Sequence, residues 1–311
     1  MPVSADTVRL ALVRMTGSPP APPAPPAFTL ARITGETIAF AATTTLSNEL
    51  DPSGQVRDSI LTGGAATGAI SFELSDHDAF EEYLAAIFGD DWAGDELIPG
   101  VDLFYYLIEK TFPGVPVSGE SSFHRFAPSA FIGGSVVIAP NTPITGTAEV
   151  NGGVPTLDTE PLAGATYPDP GTEPVLQPQD VVMSIGGWAA AACFGQFTMT
   201  FANGTRGVPC IGTLGDREKV RGRFTVQIAA QVYYATDEPL HAFVDRTEFP
   251  VLVEVRAPDA TVEYAFEFPR CKIDAAPVNA GGTGQDVIIQ MTISALYDAT
   301  AGYTCKVTRG A

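Results

Sequence analysis

Basic residues are scarce in this chain. Its 311 residues hold 17 Lys and Arg against 36 Asp and Glu, a net charge of −19. Tight binding of nucleic acid comes mainly from Lys and Arg neutralising phosphates, so DNA or RNA is not expected as a firmly held ligand. An excess of acid suits a surface that must not stick to DNA, and it equally suits plain solubility. Cysteine is sparse too: Cys193, Cys210, Cys271 and Cys305 are scattered, without a Cys-x-x-Cys pair or a His at zinc-ligand spacing. Buried free thiols in a reducing compartment are the expectation. Long apolar runs are missing. The longest, Val181 to Phe194, is interrupted by glycine and serine and falls short of the roughly 20 residues of a spanning helix. The N-terminus shows no basic stretch, apolar core and cleavage site in series. Neither membrane insertion nor secretion is expected.

The recognisable catalytic patterns are absent as well. There is no Gly-x-Ser-x-Gly elbow, and Gly133-Gly134-Ser135 has the wrong spacing. The glycines from Gly63 to Gly68 lead into Ala69 rather than Lys, and Gly281-Gly282-Thr283-Gly284 lacks dinucleotide spacing; turns are the better use for them. With 3 histidines, acid–base and metal chemistry have few candidates. His77 and Glu81 lie one helical turn apart, which suits a solvated helix face better than a metal. The acidic groups around Asp51 and Asp90 lack the full oxygen-ligand pattern of a calcium loop. No cofactor and no metal are expected. Carboxylates that meet only in three dimensions stay open as a hydrolase site.

What is present is β-structure, arranged twice. At 45% hydrophobic and 17% charged the composition is globular, and the length suits about two domains. Gly68 to Ser75 carries apolar residues at 70, 72 and 74; Gly222 to Ala229 carries them at 224, 226 and 228, a displacement of 222 − 68 = 154. Leu46-Ser47-Asn48 sets against Phe201-Ala202-Asn203 at 203 − 48 = 155. A helix candidate follows each strand, Asp76 to Phe88 and Asp237 to Val244, and then a further strand ending near Pro113 or Pro258. Such order at nearly constant displacement predicts an internal duplication.

Period-two alternation predicts strands near 37–46, 68–75, 103–112, 131–139 and 143–150, then 195–202, 222–234, 250–256, 261–268, 271–275 and 286–297. The first helix is expected to take Asp76 as N-cap, to bury Phe80, Tyr83, Leu84, Ile87 and Phe88, and to stop at Gly89. Pro239 suits the start of the second. The expected organisation is an N-terminal segment 1–27 with a Pro/Ala-rich exposed arm, a first β domain 28–152, a linker 153–179 rich in Pro, Gly and Thr, and a second β domain 180–311. One helix closing a β-sandwich in each is the simplest architecture.

Asp58-Ser59-Ile60-Leu61-Thr62-Gly63-Gly64, Gly68-Ala69-Ile70-Ser71-Phe72-Glu73-Leu74-Ser75, Phe80-Glu81-Glu82-Tyr83-Leu84, Gly89 to Trp92, Ile108-Glu109-Lys110-Thr111-Phe112, Ile144-Thr145-Gly146-Thr147 and Ala295-Leu296-Tyr297-Asp298-Ala299 resemble, in that order, the major tail tube proteins of long, non-contractile-tailed bacteriophages. The resemblance spans most of 40–309 and brings no catalytic residues. It implies a mainly β chain of two tandem β-sandwich or barrel domains of tail-tube type. Their inner sheets would join side by side in rings, and the rings would stack into a hollow tube that conducts double-stranded DNA during ejection. Implied partners are other copies of the chain, the tape measure protein and the tail terminator; DNA would pass without tight binding. The place is the virion tail, with assembly in the host cytoplasm.

The polar faces that could line a bore are Ser71 and Glu73; Thr145, Thr147 and Glu149; Thr225 and Gln227; Gln290, Thr292 and Ser294. None is basic, which would keep a phosphate backbone from being trapped; ordinary solvent-facing positions would read the same. Two such domains in one chain would give a trimeric ring with pseudo-sixfold symmetry. The rival reading is a carbohydrate- or receptor-binding β-sandwich of a virion or cell surface, which predicts exposed aromatics at loop tips, with Trp92 and Trp188 as the only tryptophans.

Overall fold

The structure is a computed structural model that describes residues 4–115, 120–186 and 193–310. Every named strand pair is antiparallel. The spine is one continuous sheet in the spatial order Ala39–Leu46, Ser59–Glu73, Thr145–Gly152, the C-terminal part of Ser121–Ile138, Phe194–Ala202, Thr225–Tyr233, Val287–Ala295 and the end of Val262–Ala275. Two long strands, Ser121–Ile138 and Val262–Ala275, divide between the spine and other pairings. The N-terminal part of Ser121–Ile138 leaves the spine to pair with Tyr106–Pro113 and Pro155–Asp158, and Arg9–Arg14 adds beyond Tyr106–Pro113. The N-terminal part of Val262–Ala275 likewise pairs with Phe249–Arg256 and Lys306–Arg309, with Val181–Ile185 beyond. A second layer thus covers the spine in each half of the chain.

The two halves share more than this outline. Six pairings in the first half have one counterpart each in the second, and two irregularities recur. On the divided strand of the first half Ile132 stands out of register between Phe131 and Gly133; on the second it is Asp274 between Ile273 and Ala275. A second shared shift falls after Tyr106 opposite Ser129 and after Phe249 opposite Cys271. A β-bulge is a specific backbone event, so these positions tie the halves together residue by residue. By this correspondence Phe40-Ala41 stands where Phe201-Ala202 stands, and Ile70 where Ala230 stands. The displacement of 154 expected from the sequence is therefore slipped along the strand by an even number of residues. Alternation marks which face a residue occupies and leaves the register free.

Among the described residues there are two α-helices, α1 (Asp78–Phe88) and α2 (Glu238–Val244). The stripe expected for α1 is buried throughout, and Gly89 ends it at φ 71. The expected N-cap is corrected. His77, not Asp76, caps α1, its Nδ1 accepting from the Ala79 N–H at 3.0 Å, and the Asp76 carboxylate accepts instead from the Tyr264 hydroxyl at 3.2 Å. α1 lies in one continuous core fed by both halves. Phe72 and Phe131 approach it from the first half; Tyr264 lies 5.0 Å from Phe80, and Phe201 and Phe224 lie 5.6 and 5.0 Å from Phe88. Arg221 completes the junction by donating to the last carbonyls of α1, Ile87 O at 2.8 Å and Phe88 O at 2.6 Å, groups a helix end leaves unpaired.

The Pro/Ala-rich run 17–27 is mostly exposed, and parts of 153–179 pack on the body. The four inner residues of Arg9–Arg14 are buried, and in the Pro/Ala run Ala21 bridges Thr16 and Pro26 is buried. Tyr167 stacks on Phe28 at 5.0 Å and donates to the buried Glu109 carboxylate at 2.7 Å. Arg125 donates to the other oxygen of Glu109 at 2.8 Å, so a buried charge is paired and hydrogen-bonded. Leu162, Ala165 and Tyr167 of the 153–179 stretch pack against the small apolar cluster of Ala11, Val13, Met15, Phe28 and Leu107. The thiols also divide. Cys271 and Cys305 are buried, with Cys271 pushed up to about 12 by loss of solvent, whereas Cys193 is exposed, against expectation.

Candidate functional surface

The ten polar positions singled out in the sequence come from four strands, and the structure places all ten on one face of the spine. Residues directly opposite in neighbouring strands share a face, so the pairings read out rows. One row runs Ser71, Thr147, Ser135, Thr200, Gln227 and Ser294. The next runs Glu73, Thr145, Val137, Thr198, Ala229 and Thr292. A third joins Ala69, Glu149, Gly133, Ala202 and Thr225, and a fourth Gln196, Gln231 and Gln290. The opposite face carries Ile70, Phe72, Val136, Ala148, Met199, Phe201, Val226, Ile228 and Ile293, all buried. Strict alternation is what divides the chain this way.

Sequence reading missed the middle of the surface. Ser135, Thr198 and Thr200 complete the rows where the two halves meet, at the seam of Gly133–Ile138 with Phe197–Ala202. Nothing local signals that seam, since it joins strands far apart in the chain. Cross-strand contacts tie the face together, as where the Ser135 and Thr147 hydroxyls meet at 2.9 Å. On the core side Gly146 and Gly134 leave no room for a Cβ, which would lie 2.5 Å from the Phe72 ring and 2.5 Å from Thr147 O respectively.

The electrostatics are one-sided. The six strands 59–73, 130–138, 145–152, 194–202, 225–233 and 287–295 contain neither Lys nor Arg, and their only charges are Glu73 and Glu149. Lys272, in register with Ser294 at the margin, is neutralised by Glu248 at 2.9 Å. Hydrogen bonds from Arg270 and then Lys272 hold the Glu248 carboxyl down at about 2. The surface is polar and broad, and among the described residues it brings together no convergent set of nucleophile, base and oxyanion donors.

A family model described as phage tail tube protein matches residues 5–299. The chain belongs to the phage tail tube protein family. No curated protein matches it significantly. This tail tube protein is a structural, non-enzymatic component of the virion tail, and membership in the family implies self-assembly into a tube. The Trp92 ring is covered rather than open to a ligand. Trp92 is half-buried, its indole N–H donates to Glu81 O at 3.2 Å, and the Arg309 guanidinium covers its ring at 4.7 Å. Trp188 lies outside the described residues.

Proposed function

We propose that this tail tube protein forms the DNA-conducting tube of a long, non-contractile phage tail, and that the ten-residue polar face lines its bore. The observation that carries the reading is the face itself: a continuous polar sheet surface without an unpaired base, backed by a buried core. Double-stranded DNA presents one charge per roughly 1.7 Å of axis, so a neutral to acidic wall lets it slide without being held. The chain is read as two tail-tube units, from Arg9 to Asp158 and from Val181 to Arg309, duplicated in one polypeptide; the matched pairings and bulges support this. Three such chains would complete a ring with pseudo-sixfold symmetry, in which the seam at 133–138 with 197–202 is the internal version of a junction between chains. Rings would stack on a tape measure protein and end at a tail terminator, with assembly in the host cytoplasm. Electron cryomicroscopy of isolated tubes tests it: the row from Ser71 to Ser294 should face the bore, and finding that row on the outer wall would sink the assignment.

A further inference from the structure

The internal seam has two matching edges that no described strand covers. In the seam Gly133 lies opposite Ala202 and Gly134 opposite Phe201, and the Asn203 N–H donates to Ile132 O at 3.1 Å. The shared bulges set Asp274, Ala275 and Ala276 in the places of Ile132, Gly133 and Gly134. The shared ladders set Phe40, Ala41 and Ala42 in the places of Phe201, Ala202 and Asn203. Among the described residues, Ala39–Leu46 pairs only with Ser59–Glu73, and the outer edge beyond Ile273 pairs with nothing. An unpaired edge of this kind is a template for another strand.

We propose that Ala39–Leu46 of one chain adds antiparallel to the 274–277 edge of a second copy, with Ala41 opposite Ala275 and Phe40 opposite Ala276. This rests on the tail-tube reading and fixes the register of its junction between chains. The local chemistry agrees. Pro277 directs its carbonyl to the Gln290 N–H at 3.0 Å, within its own sheet, so its missing donor falls on that side and not on the free edge. The junction stops at Ala39, because the Ile38 N–H already donates to Glu36 at 2.8 Å and Ile38 O accepts from Lys110. Phe40, half-buried where its counterpart Phe201 is buried in the seam, is covered by the neighbour.

The test is disulfide trapping in assembled tubes, with Cys193 and Cys210 replaced by Ser. Ala41 and Ala275 sit on opposite margins of the spine, on the order of 30 Å apart at about 4.8 Å per strand, so a bond between them links two chains. Tubes of the A41C/A275C variant should give, on oxidation, covalent species of up to three chains in non-reducing gels. T37C/A275C, displaced by about 13 Å along the strand at roughly 3.3 Å per residue, and either single variant should stay uncrosslinked. Tubes without the A41C/A275C bond, or with equal bonding of the displaced pair, would overturn the register while leaving the tube itself standing; a wild-type chain that forms neither rings nor tubes would remove both. Hydrogen exchange on wild-type tubes covers the case of a variant that does not assemble: 39–42 and 274–277 should gain protection over the free chain, and unchanged exchange at both counts against the junction.

Discussion

Phe88 shows at the scale of one residue how the halves are joined. It is fully buried and its ring meets Phe201 and Phe224 from the second half. Phe88→Ala is expected to lower stability by about 3–5 kcal/mol, the usual range for deleting a core aromatic. Because one core spans both halves, denaturant unfolding should keep a single transition; two separated transitions would show that the halves melt independently. Single residues on the polar face should act differently, through charge. Thr147 and Thr292 stand in adjacent rows of that face. Thr147→Lys with Thr292→Lys is expected to leave tubes intact and slow DNA ejection several-fold, an effect that shrinks as salt screens it. Thr147→Glu should leave the rate unchanged. Equal ejection rates for Lys and Glu variants, with the side chains proven to face the bore, would end the electrostatic role.

At the scale of elements, α1 carries a pH dependence in its cap. Burial, the largest influence, pushes His77 below 6.5, and Asp78 opposes it. The cap needs a neutral ring, since Nδ1 accepts from the Ala79 N–H. The folded chain therefore binds this proton less readily than the unfolded one, and stability is full above about 6.5, declines as pH falls through that value, and levels off below the folded pKa. His77→Asn should keep the cap and remove this part of the decline, and His77→Ala should cost about 1 kcal/mol at neutral pH. Thermal melts of the three proteins between pH 5 and 8 check this, and an equal slope in wild type and His77→Asn would exclude the mechanism. The helix itself was legible from the spacing of Phe80, Tyr83, Leu84, Ile87 and Phe88; its cap was not. Asp76 looked the better cap by residue type, but the backbone places His77 there and turns Asp76 toward Tyr264, a partner 188 residues away.

For the whole molecule the expectation is a ring of three chains. Symmetry analysis of isolated tubes should find threefold rings with pseudo-sixfold repetition, and native mass spectrometry of released rings should give three chains of 32.6 kDa. Six identical chains per ring would mean that both halves build one thicker subunit. The uneven covering of the halves fits a chain whose own first half is already occupied by its second: α1 is buried under residues of both, whereas α2 leaves Val244 at 73% exposure. Burying such a side chain against a neighbour contributes up to about 2 kcal/mol, so Val244→Asp should weaken assembly without unfolding the free chain, as sedimentation and circular dichroism would show.

The sequence by itself determined the β character, the two helices, the absence of basic side chains from the inner strands and the division of each strand into polar and apolar faces. These are local properties: period two, a helical stripe and a charge count need no knowledge of neighbours. It also gave the expectation that the pattern occurs twice. Which residues correspond was decided by the tertiary structure, because alternation repeats every second residue and an even slip costs nothing in pattern. The bulges at Ile132 and Asp274 fix the register, and they exist only in relation to the partner strand. The packing of 153–179 against the second layer was likewise beyond sequence reading, since it depends on Phe28 meeting Tyr167 and on Tyr167 reaching Glu109. Above all, the ten polar residues became one surface only when Gly133–Ile138 met Phe197–Ala202 and turned two short sheets into a single wall.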